Sequence, residues 1–261
     1  LDQIRELGEL RVATRNSPTV YYEGANGPEG PEYEFAAQFA RALGVKPVFV
    51  VLPSPEAILD AVERGVAHVG AAGLAITPTW AQRVRFAKPY QVIRLHVVYP
   101  RNRTRPETIA DLAKLRVEVV AGSAHAEALR AAARDVPGIR YVERGDVDTL
   151  DLLDRLSDGT LDATVADANE FALGRNFHPE LRVAFNLQGE ESLAWLLPRG
   201  DDAFAARVDA FFDALRPQIA AILDRYYGDT ETPDYVGARN FIKHAQERLP
   251  LYRRHSEDAA H

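Results

Sequence analysis

The sequence predicts an α/β protein of two similar lobes, on three observations. Amphipathic stretches alternate with short apolar runs, the pattern of β-α-β units built on parallel sheets. The order strand, helix, strand, helix, strand occurs twice along the chain. The 261 residues, 46% hydrophobic and 26% charged, suffice for one large domain or two lobes in proportions ordinary for a globular protein.

In the first copy, Arg11 to Thr14 reads as a strand and Asn16-Ser17-Pro18 as the turn after it. Asn26-Gly27-Pro28 and Gly30-Pro31 mark a loop. Tyr33 to Leu43 then reads as a helix, because Phe35, Phe39 and Leu43 recur every fourth residue and Gly44 stops it. Pro47 to Leu52 is an apolar run of the buried parallel type. Ser54-Pro55-Glu56 opens the next helix with a hydroxyl cap, a proline at the first position and an acid in the first turn. Ile58, Leu59 and Val62 form its apolar face, Gly65 stops it, and His68 to Leu74 is the third strand.

The second copy runs through Val117 to Val120, Ala124 to Ala133, Ile139 to Val142, the helix around Leu152-Leu153-Asp154 with its stop at Gly159, and Ala163 to Ala166. Helix-glycine-strand units resemble one another in any α/β protein, but here the order of all five elements agrees. Beyond it, Ser192 to Leu197 reads as a strand and Asp201 to Leu215 as a helix. Pro217 opens a second helix stopped by Gly228. Thr230 to Pro233 reads as a linker, Val236 to Leu249 as a weak helix, and Arg253 to His261 as a frayed polar end.

Composition excludes several chemistries. The chain has no cysteine, which removes disulfides, thiol catalysis and Cys-ligated metal sites. Its net charge of -7 and lack of Lys/Arg runs argue against nucleic acid as a partner. No apolar run approaches the roughly 20 residues of a membrane helix. The start, without Met or a signal-like stretch, reads as that of a mature or trimmed chain. Seven scattered histidines show no metal-binding spacing, and there is no G-x-S-x-G, P-loop or dinucleotide fingerprint. No cofactor, metal or catalytic residue is therefore expected.

Gly73-Leu74-Ala75-Ile76-Thr77-Pro78, followed by Val84-Arg85-Phe86-Ala87-Lys88-Pro89-Tyr90, resembles a signature of the family 3 extracellular solute-binding proteins. Gly30 to Ala36, Gly122-Ser123 and Leu161-Asp162-Ala163 to Asp167 fit the same family. A subgroup, the N-terminal sensor domain of the membrane-bound lytic murein transglycosylase F proteins, is similar in more places. These are Glu32-Tyr33-Glu34, Ala71-Ala72-Gly73-Leu74, Arg175 to Leu181, and the tail from Pro233-Asp234-Tyr235-Val236 to Leu249-Pro250. The tail resembles the segment that leads into that subgroup's catalytic domain.

The resemblance implies a two-lobed periplasmic binding protein of type II, with two interlobe crossovers and a C-terminal helical tail. The crossovers are expected near Val98 to Arg101 and Ala184 to Leu187. Residues 1–98 and 187–229 would then form lobe 1, residues 99–186 lobe 2, and residues 230–261 a linker and helix toward an absent catalytic domain. Ligand binds in the cleft, and the lobes close on it by a hinge motion.

The resemblance also marks candidate ligand-binding residues. Asp167, at a strand end, matches the aspartate that pairs with a ligand ammonium; the alternative is a strand-end cap or a structural ion pair. Ser123 matches a contact to a ligand carboxylate at a helix N-terminus, and plain capping is the alternative. Trp80 stands where the family places an arginine that clamps a carboxylate, and Ala75 replaces a threonine donor. Trp80 is then either a stacking wall for a larger ligand or a simple surface aromatic. Arg15 could supply replacement charge or be solvated. Of Tyr21 and Tyr22, one is expected to face the cleft. Ala72 and Gly73 would offer backbone contacts or merely permit tight packing. Glu191-Ser192 matches the catalytic pair of lytic transglycosylases only by coincidence, since the surrounding motif is missing.

The expected function is that of a regulatory sensor domain. It would bind a peptidoglycan-derived peptide or amino acid, act in the periplasm as a monomer, and control a lysozyme-like catalytic domain in cis, outer-membrane associated in the full protein. The rivals are an amino-acid-binding protein of an importer and a cyclohexadienyl dehydratase-like enzyme on the same fold.

Overall fold

The structure is a computed structural model that describes residues 1–187 and 189–227. The expected linker, weak helix and polar end beyond Thr230, and the stop at Gly228, lie outside the described residues.

The first lobe opens with helix α1 (Asp2–Leu7) and strand β1 (Glu9–Thr14), then a hairpin of β2 (Tyr22–Gly24) and β3 (Gly27–Glu29). It continues with α2 (Pro31–Leu43), β4 (Lys46–Val51), α3 (Pro55–Glu63), β5 (Val69–Gly70), α4 (Pro78–Ala81) and β6 (Arg85–Phe86). A short strand β7 (Gln91–Ile93) leaves the lobe. The second lobe holds β8 (Leu95–Pro100), a 3-10 turn over Ile109–Lys114, β9 (Val117–Val120), α5 (Ala124–Asp135) and β10 (Val142–Arg144). It ends with α6 (Thr149–Ser157), β11 (Ala163–Asp167), α7 (Ala168–Phe177) and β12 (Leu181–Asn186). The chain returns through β13 (Glu191–Leu193) to β14 (Leu196–Leu197) and α8 (Asp202–Tyr227) in the first lobe.

The expected internal repeat is present as matching topology. The first sheet has the order β4-β1-β5-β14-β6 and the second β10-β9-β11-β8-β12. In each, the three strands of the repeat are parallel and a fourth runs antiparallel beside the third. The sheets are thus mixed rather than wholly parallel. The fourth strand comes from outside the repeat: β14 after it for the first lobe, β8 before it for the second.

Strand alternation divides each core into two faces. Leu10 and Val12 of β1 pack with Phe35 and Phe39 of α2 and with Phe212 of α8, while Ala13 packs with Ile58, Leu59 and Val62 of α3. In the second lobe Val117 and Val119 face Ala126 and Leu129 of α5, while Val120 faces Leu150, Leu153 and Leu156 of α6. The helix starts are where their caps put them: Ser54 Oγ accepts from Ala57 N at 3.2 Å, and Asp148 and Asp151 form a reciprocal capping box.

Several expectations are corrected. The run at Pro47 to Leu52 is not buried on both faces, because β4 is an edge strand with its centre only partly covered. The strand expected over His68 to Leu74 is confined to two residues, since Gly73 turns the chain in a left-handed conformation at φ 62°. Ser192 to Leu197 divides between β13, paired with β7, and β14 of the first sheet. Strand β8 and strand β12 both belong to the second sheet, so the crossovers drawn at 98–101 and 184–187 fall inside that lobe. The chain passes between sheets at the β7–β13 ribbon instead.

Pro217 does not divide two helices; α8 runs through it. One apolar stripe, Val208, Phe212, Leu215, Ile219 and Ile222, continues across the proline into the same core. Burial of that stripe outweighs the roughly 3 kcal/mol that an interior proline costs.

Candidate functional site

The lobes face each other across a small chamber of about 40 Å3. The Arg15–Glu170 bond joins the two lobes there. The first lobe contributes Arg15, Gly73 and Trp80 to its wall; the second contributes Ser123, Asp167 and Glu170. A wider cavity of about 410 Å3 adjoins it, sharing Arg15, Pro55 and Val120 and lined also by Asp146, Asp148 and Asp151.

Five of the eight candidate residues come together on this wall. Arg15, at the end of β1, crosses the cleft: its Nη2 donates to Glu170 Oε1 at 2.9 Å and its Nε to the Ala72 carbonyl at 3.2 Å. Arg15 is thus neither solvated nor free to clamp a carboxylate with its whole fork. Gly73 lines the chamber, but its N–H is spent on Glu32 Oε1 at 2.8 Å. Trp80 is buried in the wall, held on α4 where its N–H donates to Thr77 Oγ1 at 3.2 Å. It is not a surface aromatic. Ser123 caps α5, accepting from Ala126 N at 3.3 Å and donating to the Val120 carbonyl at 2.6 Å. Asp167 caps α7, with Oδ1 accepting from Asn169 N and Glu170 N, each at 2.8 Å.

Ala72 stands behind the wall and reaches the site only through its carbonyl. The expectation that a tyrosine faces the cleft is not met. Tyr21 stacks on Phe49 with ring centroids 5.0 Å apart and donates to Glu23, and Tyr22 donates to Glu29 Oε2 at 2.9 Å. Neither lines the chamber, because the β2–β3 hairpin turns both hydroxyls toward acids of its own sequence neighbourhood.

Three further buried residues at the chamber were not marked as site candidates by sequence reasoning. Glu170 on α7 and His125 on α5 are buried in the chamber wall, and Glu32 on α2 lies behind it. The only local signals are spacings: Glu170 stands three after Asp167, at a capping position, and His125 two after Ser123.

The electrostatics follow from burial. Burial pushes the Asp167 carboxyl well above its ordinary range, and the nearby Glu170 charge adds to this. Glu170 also suffers burial, but the Arg15 guanidinium, with side-chain hydrogen bonds from Thr149 and Arg15, outweighs it and holds the carboxyl below its ordinary value. Burial lowers His125, so its imidazole is neutral at pH 7. The chamber therefore holds an Arg15–Glu170 ion pair, a neutral imidazole and a protonation-prone Asp167. Among the described residues, Glu170 Oε2 and His125 Nδ1 have no hydrogen-bond partner. No helix of the described residues is long and apolar enough to cross a membrane.

Comparison with known proteins agrees with this architecture. The chain is 38% identical over 264 residues to the "Membrane-bound lytic murein transglycosylase F" of Pseudomonas syringae pv. syringae (strain B728a), covering 100% of this chain and 53% of that protein. It is 38% identical to "Membrane-bound lytic murein transglycosylase F 1" of Alkalilimnicola ehrlichii, again over 100% of this chain and 53% of the relative. The chain thus spans about half the length of these relatives. The arginine-bound form of a truncated ArgBP from T. maritima superposes with a TM-score of 0.74 at 22% identity, over 82% of this chain and 100% of that one. An ancestral amino acid-binding protein, a precursor of cyclohexadienyl dehydratase, gives 0.74 at 20% identity, over 87% and 98%. At such identities these neighbours establish the fold alone. The profile of the bacterial extracellular solute-binding proteins, family 3, matches residues 10–229, and with the two-lobed fold and its interlobe chamber it makes this chain a member of that family.

Proposed function

We propose that this chain is the ligand-binding sensor domain of a lytic murein transglycosylase F-type protein. Its cleft binds a peptidoglycan-derived peptide or amino acid, and lobe closure shifts the populations of a catalytic domain in the same polypeptide. The observation that carries this reading is the extent of the similarity. Likeness to the transglycosylase relatives continues through the whole chain, past residue 229 where the binding-family match stops, and the chain makes up only about half of each relative. The glycosidic chemistry belongs to the other half, and the whole protein would work in the periplasm at the outer membrane.

The structural neighbours bound to arginine or glutamine support a second reading, in which a free amino acid is the physiological ligand. Calorimetric titration with a stem tetrapeptide, a muropeptide and a panel of free amino acids separates the two. Tight peptide binding with weak amino-acid binding is the expected result. Tight binding of one free amino acid alone would replace the sensor reading with a nutrient-binding one. Prephenate turnover by the chain would overturn both.

A further inference from the structure

Outside the chamber, a groove of about 660 Å3 lies along α5. That volume falls within the roughly 300–1,000 Å3 that small-molecule sites occupy. Both lobes build it: Ile76 and Pro78 come from the first lobe, Ala128 and Ala132 from α5, and Phe185 from β12. The trough exists because α5 presents alanines to it, which leave space that larger side chains would fill. Thr77 and Ala124 line both groove and chamber, so the two share a wall. Charge sets the groove apart. Glu127, Asp135 and Glu191 line it, and among the described residues no basic side chain does. None of these three acids is in an ion pair among the described residues. The acids Glu56, Asp60 and Glu63 on α3, by contrast, share Arg83. Burial and the nearby Glu127 push the Glu191 carboxyl above its ordinary range. Asp135 ends α5, where the helix dipole adds further negative potential.

We infer that this groove is a second binding site, distinct from the chamber, and takes a small organic cation with an apolar body, an alkyl or arylalkyl amine. Ile76, Ala128 and Phe185 are half-buried and leave apolar surface for the body to cover. The ammonium supplies the positive charge that Glu127 and Glu191 lack within the protein. A neutral amphiphile fits the same walls but leaves the acids uncompensated, and an anionic one meets three like charges. The head group therefore decides the occupant. Because the walls belong to both lobes, the occupant touches both, and it presses on Thr77 and Ala124 of the chamber wall. The site does not depend on what the chamber binds.

The test is NMR titration of the isotope-labelled whole chain with phenylbutylamine, phenylbutanol and phenylbutyrate, which share one apolar body and differ in head group. The amine is expected to bind about tenfold or more tightly than the alcohol, and the carboxylate more weakly than either. The shifted amides should gather at Ala128, Ala132, Phe185 and Glu191. Glu191→Gln should cut the advantage of the amine over the alcohol to about threefold or less. Ala128→Phe, which fills the trough, should weaken both amine and alcohol by about tenfold. Amine binding no tighter than alcohol binding overturns the inference. So does an advantage that Glu191→Gln leaves intact, or binding that Ala128→Phe leaves intact. Shifts confined to the chamber, at Ser123 and Asp167, overturn it as well, as does no binding of any probe up to about 10 mM. If the spectrum of Ala128→Phe shows that it does not fold, wild type and Glu191→Gln with the three probes still decide.

Discussion

Trp195 Nε1 donates to Glu32 Oε2 at 2.7 Å in the interior of the first lobe. The other oxygen of Glu32 accepts from Tyr90 Oη at 2.6 Å and from Gly73 N at 2.8 Å. Tyr90 precedes β7, Trp195 follows β13, and Gly73 belongs to the chamber wall. One buried carboxylate therefore ties both interlobe strands to the cleft. Burial raises its pKa, and the three donors oppose that rise. Trp195→Phe removes one donor and leaves Oε2 stranded, so denaturant unfolding should show a loss on the order of 2 kcal/mol. A loss under about 0.5 kcal/mol would mean that Glu32 does not depend on Trp195.

Arg15 and Glu170 join lobes across 155 residues of chain, both mostly buried. Breaking such a pair strands a charge at a cost of about 3–5 kcal/mol unless the structure relaxes. Here the lobes can part and let water reach Glu170. Arg15→Met is therefore expected to raise the radius of gyration of the ligand-free chain in small-angle scattering. A scattering curve identical to wild type would show that other contacts hold the lobes together.

Gly30 sits at φ 122°, and a Cβ there would lie 2.3 Å from the Val20 carbonyl oxygen. Backbone strain and overlap with rigid backbone act together. Gly30→Ala should cost on the order of 3 kcal/mol or more, read as a lowered melting temperature. Wild-type melting of this variant would contradict the geometry at the start of α2.

His68 Nδ1 accepts from Arg11 N at 3.0 Å, and burial, aided by Arg11, holds its imidazole down at about 4 against an ordinary 6.5. The unfolded chain binds a proton below 6.5 that the folded chain refuses. This contribution to stability is complete above about 6.5 and is lost as pH falls toward 4. Asp167 and Glu32, raised by burial, work in the opposite direction, but equally in wild type and variant. The fall in melting temperature between pH 7 and 5 should therefore be smaller in His68→Asn than in wild type. Equal falls would remove His68 from the acid response.

Pro217 is exposed within α8 and offers no N–H to the Asp213 carbonyl. Pro217→Ala should restore a helix bond without touching the core and raise the melting temperature by a few degrees, as about 1 kcal/mol does in a chain of this size. No rise would indicate that the proline is fully accommodated at its site.

The repeat, the capped helix starts and the apolar faces of α2, α3 and α6 were legible because they rest on residues within a turn or two of one another. Ser54 and Ser123 each bond a backbone N–H three residues on, and such contacts survive in a one-dimensional reading. What tertiary structure alone decided is whatever depends on residues far apart. Sheet order made β4 an edge strand and moved the crossovers to the β7–β13 ribbon. Packing of one continuous stripe carried α8 through Pro217. Most of all, the chamber became what it is because β1 places Arg15 opposite Glu170, 155 residues on in the chain. Of the residues that the resemblance marked, Arg15, Gly73, Trp80, Ser123 and Asp167 line one chamber. The cap at Asp167 was open to a local reading, whereas the partner of Arg15 depends on the distance between lobes, which no local pattern of residues encodes.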